Sequence, residues 1–152
     1  MNSDFIVAVH ALVYLGHRKG VLSSEELAGN ICTNPARVRK VMAKLKKAEL
    51  VETKEGSEGG CRFSGDPERV DLARVARALD VTFVEAAWHS GNQADRECLI
   101  CSGMGELMDE LFADLDRRCK ERLGQLTIAD LERRLFAERG KTAGGSGDAY
   151  GL

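Results

Sequence analysis

The stretch from Ser23 to Val51 limits the fold more than any other, because it holds two helix starts separated by one tight turn. Ser23 or Ser24 opens a short helix through Glu25, Glu26, Leu27 and Ala28 that ends near Gly29 and Asn30. Asn34 followed by Pro35 starts the next helix: asparagine accepts from the free amides of a first turn, and proline fits there without losing a needed donor. Along this helix Val38, Val41, Met42 and Leu45 form an apolar stripe, with Arg37, Arg39, Lys40, Lys44 and Lys47 off it. Two helices joined by roughly three or four residues, the second of them basic, make a helix-turn-helix.

The next segment of chain strengthens that pattern. Leu50 to Lys54 reads as a strand, EGSEGG as a glycine-rich tip, and Cys61, Arg62 and Phe63 as the returning strand. A basic helix alone is usually a solvated surface. One that leaves a capped helix through a tight turn and runs into a hairpin wing is better explained as a DNA reader. Charge agrees. The 152-residue chain has a formal net charge of -2, yet residues 32–54 carry seven Lys or Arg against only Glu49 and Glu52. A positive patch on a mildly acidic protein is the footprint of a polyanion site.

The remaining elements suit a small, mainly α fold. Ser3 is placed to cap a first helix whose apolar positions Phe5, Ile6, Val9, Leu12, Val13 and Leu15 recur at helical spacing until Gly20. Asp66-Pro67 breaks the chain before a helix from Asp71 to Leu79. Residues 81–103 read as a loop with a short element near Phe83 to Trp88, closing in C-L-I-C ahead of Gly103. From Met104 to about Gly124 a long amphipathic helix carries Leu107, Met108, Leu111, Leu115, Cys119 and Leu123, a stripe that needs a partner. The same helix of a second subunit would supply it. Thr127 and Asp130 cap a last helix bearing Ile128, Leu131, Leu135 and Phe136. The expected organisation is a winged helix-turn-helix domain at 1–80, a sensor loop or linker at 81–103, dimerisation helices at 104–138 and a disordered tail at 139–152.

Several function classes are set aside. No run approaches ~18 uncharged apolar residues, and the N-terminus lacks the basic lead and cleavage site of a secretory signal, so a cytoplasmic protein with no membrane partner is expected. No nucleophile motif or phosphate loop supports an enzyme, since G-S-E-G-G lies on a hairpin and lacks the Lys-Ser/Thr of such loops. Five cysteines do not suggest an extracellular disulfide framework. C-L-I-C lacks the second half of a zinc site, so no metal is assigned to it. His10 and His17 read as structural.

The order of these elements, with T-N-P-A-R-V-R-K-V-M-A-K-L-K-K-A-E-L-V, the wing G-S-E-G-G-C-R-F and the segment D-P-E-R-V-D-L-A-R-V-A-R-A-L, resembles the Rrf-type bacterial transcription regulators, the group of IscR, NsrR and CymR. Within it, the start N-S-D-F-I-V-A-V-H-A-L and the T-N-P turn are more similar to the YwnA and HypR branch than to the cluster-binding members. The resemblance covers residues 2 to about 136. It implies a homodimeric winged-helix regulator of double-stranded DNA, paired through the long helix.

On that basis Thr33, Asn34 and Arg37 are expected nearest the base edges, with Arg39, Lys40 and Lys44 split between bases and phosphates. Arg37 is the first candidate for reading guanine. Ser24 is placed to hold a phosphate on the amides of the second helix. Many relatives carry an arginine before the wing glycines; Glu55 stands there, and Lys54 or Arg62 is the expected substitute.

Cluster-binding relatives have three cysteines in the loop before the dimer helix, whereas this chain offers Cys98 and Cys101 there, with Cys119 well inside the helix. Iron–sulfur clusters take mostly four thiolates, so the set is incomplete unless His89 or Cys119 joins, and no cofactor is expected. In the YwnA and HypR branch the resemblance implies a thiol switch, in which a turn cysteine of one subunit bonds a loop cysteine of the other. Cys32 and Cys98 match those positions, with Cys101 as a resolving thiol. Cys32 near the positive end of the basic helix, and Cys98 beside Arg96, lie where thiols react. The opposing view makes Cys32 a compact packing residue and the protein a sensor of a small ligand or a cluster. Phe83, Trp88 and Phe112 would then line a pocket between the winged domain and the dimer helix.

Overall fold

The structure, a computed structural model, describes the backbone of residues 3–142 and the side chains of residues 3–140. Six helices and one hairpin run in the order α1 Ser3–Arg18, α2 Ser24–Ile31, α3 Pro35–Lys47, β1 Val51–Lys54, β2 Gly60–Phe63, α4 Leu72–Leu79, α5 Leu99–Leu123 and α6 Ile128–Thr142. The fold is mainly helical with a two-stranded wing, as the periodicities predict.

Local chemistry accounts for the boundaries. Ser23, not Ser24, caps α2: its hydroxyl accepts from the Glu26 amide at 3.1 Å while its own amide donates to the Glu26 carboxylate at 2.7 Å. Asn34 caps α3 by accepting from the Ala36 amide at 2.7 Å, with Pro35 in the first turn. Asp71 accepts from the Arg74 amide at 2.8 Å to start α4. Thr127 and Asp130 cap each other's amides ahead of α6. Ser3 is the first helical residue of α1 rather than a cap before it.

The core lies among α1, α2, α3, α4 and the wing. Leu12, Leu15, Leu27, Val38, Val41, Leu45, Leu50 and Val75 are all sealed from solvent. Small residues on α1, Ala8 and Ala11, let the other helices approach its axis. The wing pairs Val51 with Phe63, Glu52 with Arg62 and Lys54 with Gly60. Leu22 joins its far edge, exchanging backbone bonds of 2.9 and 2.8 Å with Cys61. That approach needs a glycine at position 60, because a Cβ there would meet the Leu22 carbonyl oxygen at 2.2 Å.

Three features differ from the sequence expectation. The element near Phe83 to Trp88 does not form; residues 81–98 are irregular and fastened by side chains. The buried Asp116 carboxylate on α5 accepts the amides of Phe83 at 2.6 Å and Val84 at 3.1 Å, while Phe83 stacks edge-on against Phe5 of α1. Helix α5 begins at Leu99 rather than Met104, so C-L-I-C forms its cap and first turn. Gly103 does not stop the helix, and Gly105 permits close cover: Ser90 to Asn92 fold over this turn, with the Asn92 amide on the Cys101 carbonyl at 2.9 Å. Helix α6 starts inside the winged domain, with Ile128 and Ala129 buried and the Ile128 amide donating to Val70 at 3.0 Å. It continues to Thr142, so residues 139–142 of the expected tail are helical; residues 143–152 lie outside the described residues.

Of the anticipated α5 stripe, Leu123 packs toward its own core and Met108 is half-buried. Ile100, Met104, Leu107, Leu111 and Leu115 remain exposed along one side, and Leu99 is exposed at the helix start.

Candidate nucleic-acid interface and cysteine sites

The burial of Val38, Val41, Met42 and Leu45 decides which way α3 faces. Opposite them, Ala36, Lys40, Ala43 and Lys47 recur at helical spacing, all exposed, with Lys44 and Arg39 on either flank. The two alanines keep the middle of this face low, and the lysines, which have no ion pair among the described residues, border it. Such a surface can enter a major groove and meet phosphates on both walls.

The other predicted contacts are already engaged. Arg37, at the edge nearest α1, donates through Nε at 3.0 Å and Nη2 at 2.9 Å to one oxygen of Asp4. Arg39 reaches Glu25 on α2 at 3.3 Å in an exposed pair. The Asn34 side-chain Oδ1 is occupied by its cap, accepting from the Ala36 amide. Thr33 is half-buried, its amide bonded to the Ala28 carbonyl at 3.0 Å. Ser24 is the first residue of α2, but the Glu26 carboxylate held by Ser23 already sits at that helix end, and these bonds lower the Glu26 pKa. A phosphate there would meet a negative charge.

On the wing, Arg62 is bound to its cross-strand neighbour Glu52, through Nε at 2.7 Å and Nη2 at 2.6 Å. Lys54, exposed at the end of β1, has no ion pair among the described residues. The residues that sequence reasoning missed are therefore acids: Asp4, Glu25 and Glu52. Drawing the hairpin register would have found Glu52 opposite Arg62, but nothing local links Asp4 to a residue thirty-three positions on.

The cysteines separate by surroundings. Cys32 is exposed and lies outside the core of the single chain; it closes α2 in the left-handed region at φ 60° and ψ 50°, its thiol 3.8 Å from the Gly29 carbonyl. Cys98 is exposed at the cap of α5 and its sulfur accepts the Cys101 amide at 3.4 Å; Cys101 is half-covered. Cys61 is buried in the wing, where desolvation raises its thiol pKa against a weaker opposing effect of Lys46. That favours the protonated thiol over the reactive thiolate. Cys119 is half-buried on α5.

A cluster does not fit one chain. Among the described residues no three His, Cys, Asp or Glu side chains gather to hold a metal. Cys101 and Cys119 stand ~27 Å apart along α5 at a helical rise of about 1.5 Å per residue. His89 is taken up by Asp109 at 2.7 Å. The expected aromatic pocket does not assemble either, since Trp88 is exposed, Phe83 packs on Phe5, and Phe112 lines a hollow without either of them, of mixed polar and apolar lining. The apolar concavity is instead an open groove between α1 and α6, of about 590 Å³, lined by Phe5, Ile6, Val9, Val13, Leu131 and Phe136. His17 crosses it to Glu132 at 2.6 Å, and His10 bonds Asn30 at 2.8 Å. No helix among the described residues is long and apolar enough to cross a membrane.

Comparison with known proteins accords with this geometry. A family described as Rrf2, iron-dependent transcriptional regulator, matches residues 1–134. YwnA of Bacillus subtilis strain 168, described as an HTH-type transcriptional regulator, is 28% identical over 136 residues, which are 90% of this chain and 99% of that protein. A solved structure of a protein from Lactobacillus plantarum, described as a transcriptional regulator, superposes with a TM-score of 0.77 at 27% identity, covering 94% of this chain and 99% of that one. CymR of B. subtilis, described as the global cysteine regulator, has the same fold, with a TM-score of 0.64 at 17% identity over 88% of this chain and 96% of its own.

Proposed function

The chain belongs to the Rrf2 family of transcriptional regulators, and on that premise we propose that it is a homodimeric repressor that binds an operator duplex through α3 and the wing and releases it when its thiols are oxidised. The observation that carries DNA binding is the outward face of α3, where Lys40, Lys44 and Lys47 border the low alanines Ala36 and Ala43. Dimer formation through α5 is supported by the exposed row Met104, Leu107, Leu111 and Leu115, too apolar to leave in water. No resident cluster enters this reading.

Thiol control is supported by the exposure of both Cys32 and Cys98. Two thiols of different subunits and one hydrogen peroxide would give one disulfide and two waters. The bond needs Cα atoms within about 7 Å. It would hold the recognition helices at a separation unsuited to half-sites about 34 Å apart. A non-reducing gel of anaerobically purified protein, before and after peroxide, tests it beside Cys32→Ser and Cys98→Ser. A dimer band that appears on oxidation and is lost in both variants is expected. All thiols remaining titratable would refute the switch and favour a second reading, a ligand-controlled regulator, for which the open apolar groove between α1 and α6 is the supporting observation.

A further inference from the structure

Arg37 occupies a place that helix formation does not favour. It lies in the first turn of α3, where aligned backbone dipoles leave partial positive charge, and no acidic residue of α3 shares that turn. Compensation comes from another helix. Asp4, in the first turn of α1, is where a carboxylate is stabilised, and its Oδ1 receives both Nε and Nη2 of Arg37, at 3.0 and 2.9 Å. The two side chains are about one-third exposed, at 37% and 33%, unlike the looser pair of Arg39 and Glu25 at 57% and 69%. A partly covered arginine held by two hydrogen bonds loses rotamer freedom before any ligand arrives.

The edge that Asp4 holds matters. A guanidinium has five N–H donors, and the grip on Nε and Nη2 uses one hydrogen of each. The opposite edge keeps both hydrogens of Nη1 and the second of Nη2. That edge presents two parallel N–H donors able to pair in bidentate fashion with O6 and N7 of guanine. Arg37 also lies seven residues before Lys44, two helical turns away on the same side, so it flanks the outward face of α3. We infer that Asp4 is a positioning residue for base reading: it grips the Nε side of Arg37 and presents the Nη edge to one guanine of the operator. This rests on the proposed operator binding.

Selection of duplexes from a randomised pool tests it, with the full-length wild type, Asp4→Ala, Asp4→Ser, Arg37→Ala and Asp4→Ala/Arg37→Ala compared by melting temperature and enriched motif. Serine suits a helix N-terminus but is too short to span to Arg37, so it carries the test if alanine perturbs folding. The wild type should require guanine at one position. Arg37→Ala should lose roughly fivefold or more of that preference, as for a bidentate contact. Both Asp4 variants should lose it at the same position, and Asp4→Ala should add nothing in the Arg37→Ala background. A motif left intact by the Asp4 variants, with affinity raised for all sequences alike, would make Asp4 a mere charge and overturn the inference. A wild-type pool without an enriched motif would overturn operator binding itself, and this inference with it.

Discussion

If α5 pairs two subunits, truncating Leu107 should separate them by a calculable amount. Leu107 is 59% exposed in the single chain. Full burial of a leucine is worth about 1.5–3 kcal/mol, so covering the remainder gains about 0.9–1.8 kcal/mol. A two-fold axis uses each side chain once per subunit, which doubles the effect to about 2–3.5 kcal/mol. Leu107→Ala should therefore raise the dimer dissociation constant by roughly 30- to 300-fold, at 1.4 kcal/mol per decade. Sedimentation equilibrium over a concentration series reads this directly. Leu135→Ala on α6 is the comparator, because Leu135 is almost as exposed, at 58%, but lies away from the stripe. An unchanged dissociation constant for Leu107→Ala, or a larger loss for Leu135→Ala, would refute α5 as the dimer face.

Three further outcomes are expected. Arg37→Ala should relax base preference at one position by about 1–3 kcal/mol, whereas Lys44→Ala should weaken specific and random duplexes alike and reduce the salt slope by about one, both read by fluorescence anisotropy at several ionic strengths. Asp116→Ala should cost about 1–3 kcal/mol in urea unfolding, because the Phe83 and Val84 amides lose their acceptor, and hydrogen exchange should rise at those amides first. The Thr127 amide and hydroxyl together with Arg133 hold Asp130 down at about 2 against an ordinary 3.8. Its contribution is thus complete above pH 3.8 and lost as pH falls through about 2, and Asp130→Asn should flatten the acid unfolding limb across that window.

The local elements were legible because their signals are local. Ser23 with Glu26, Asn34 with Pro35, and Thr127 with Asp130 each set a helix end within a few residues, and the apolar spacing of α3 named its buried side. The start of α5 was misread for a physical reason. Gly103 looks like a breaker, yet the helical turn around it is held by the chain from Ser90 to Asn92, which approaches Gly105 and bonds the Cys101 carbonyl. The linker likewise has no periodicity to read, since it is ordered by Asp116 and Phe5 from distant parts of the chain.

The same division runs through the candidate site. Sequence by itself determined that a basic helix comes after a capped helix and enters a wing, and that a long helix near the C-terminal end carries an apolar stripe, because hydrogen-bond caps and the 3.6-residue period act over one or two turns. Only the tertiary structure decided which cations are free. Arg37 meets Asp4 and Arg39 meets Glu25 across helix interfaces, while Lys40, Lys44 and Lys47 face outward. It also decided that Cys32 and Cys98 stand in solvent while Cys61 is buried beneath the wing. Charge pairing and burial depend on distance in space, and that distance is set when the helices pack.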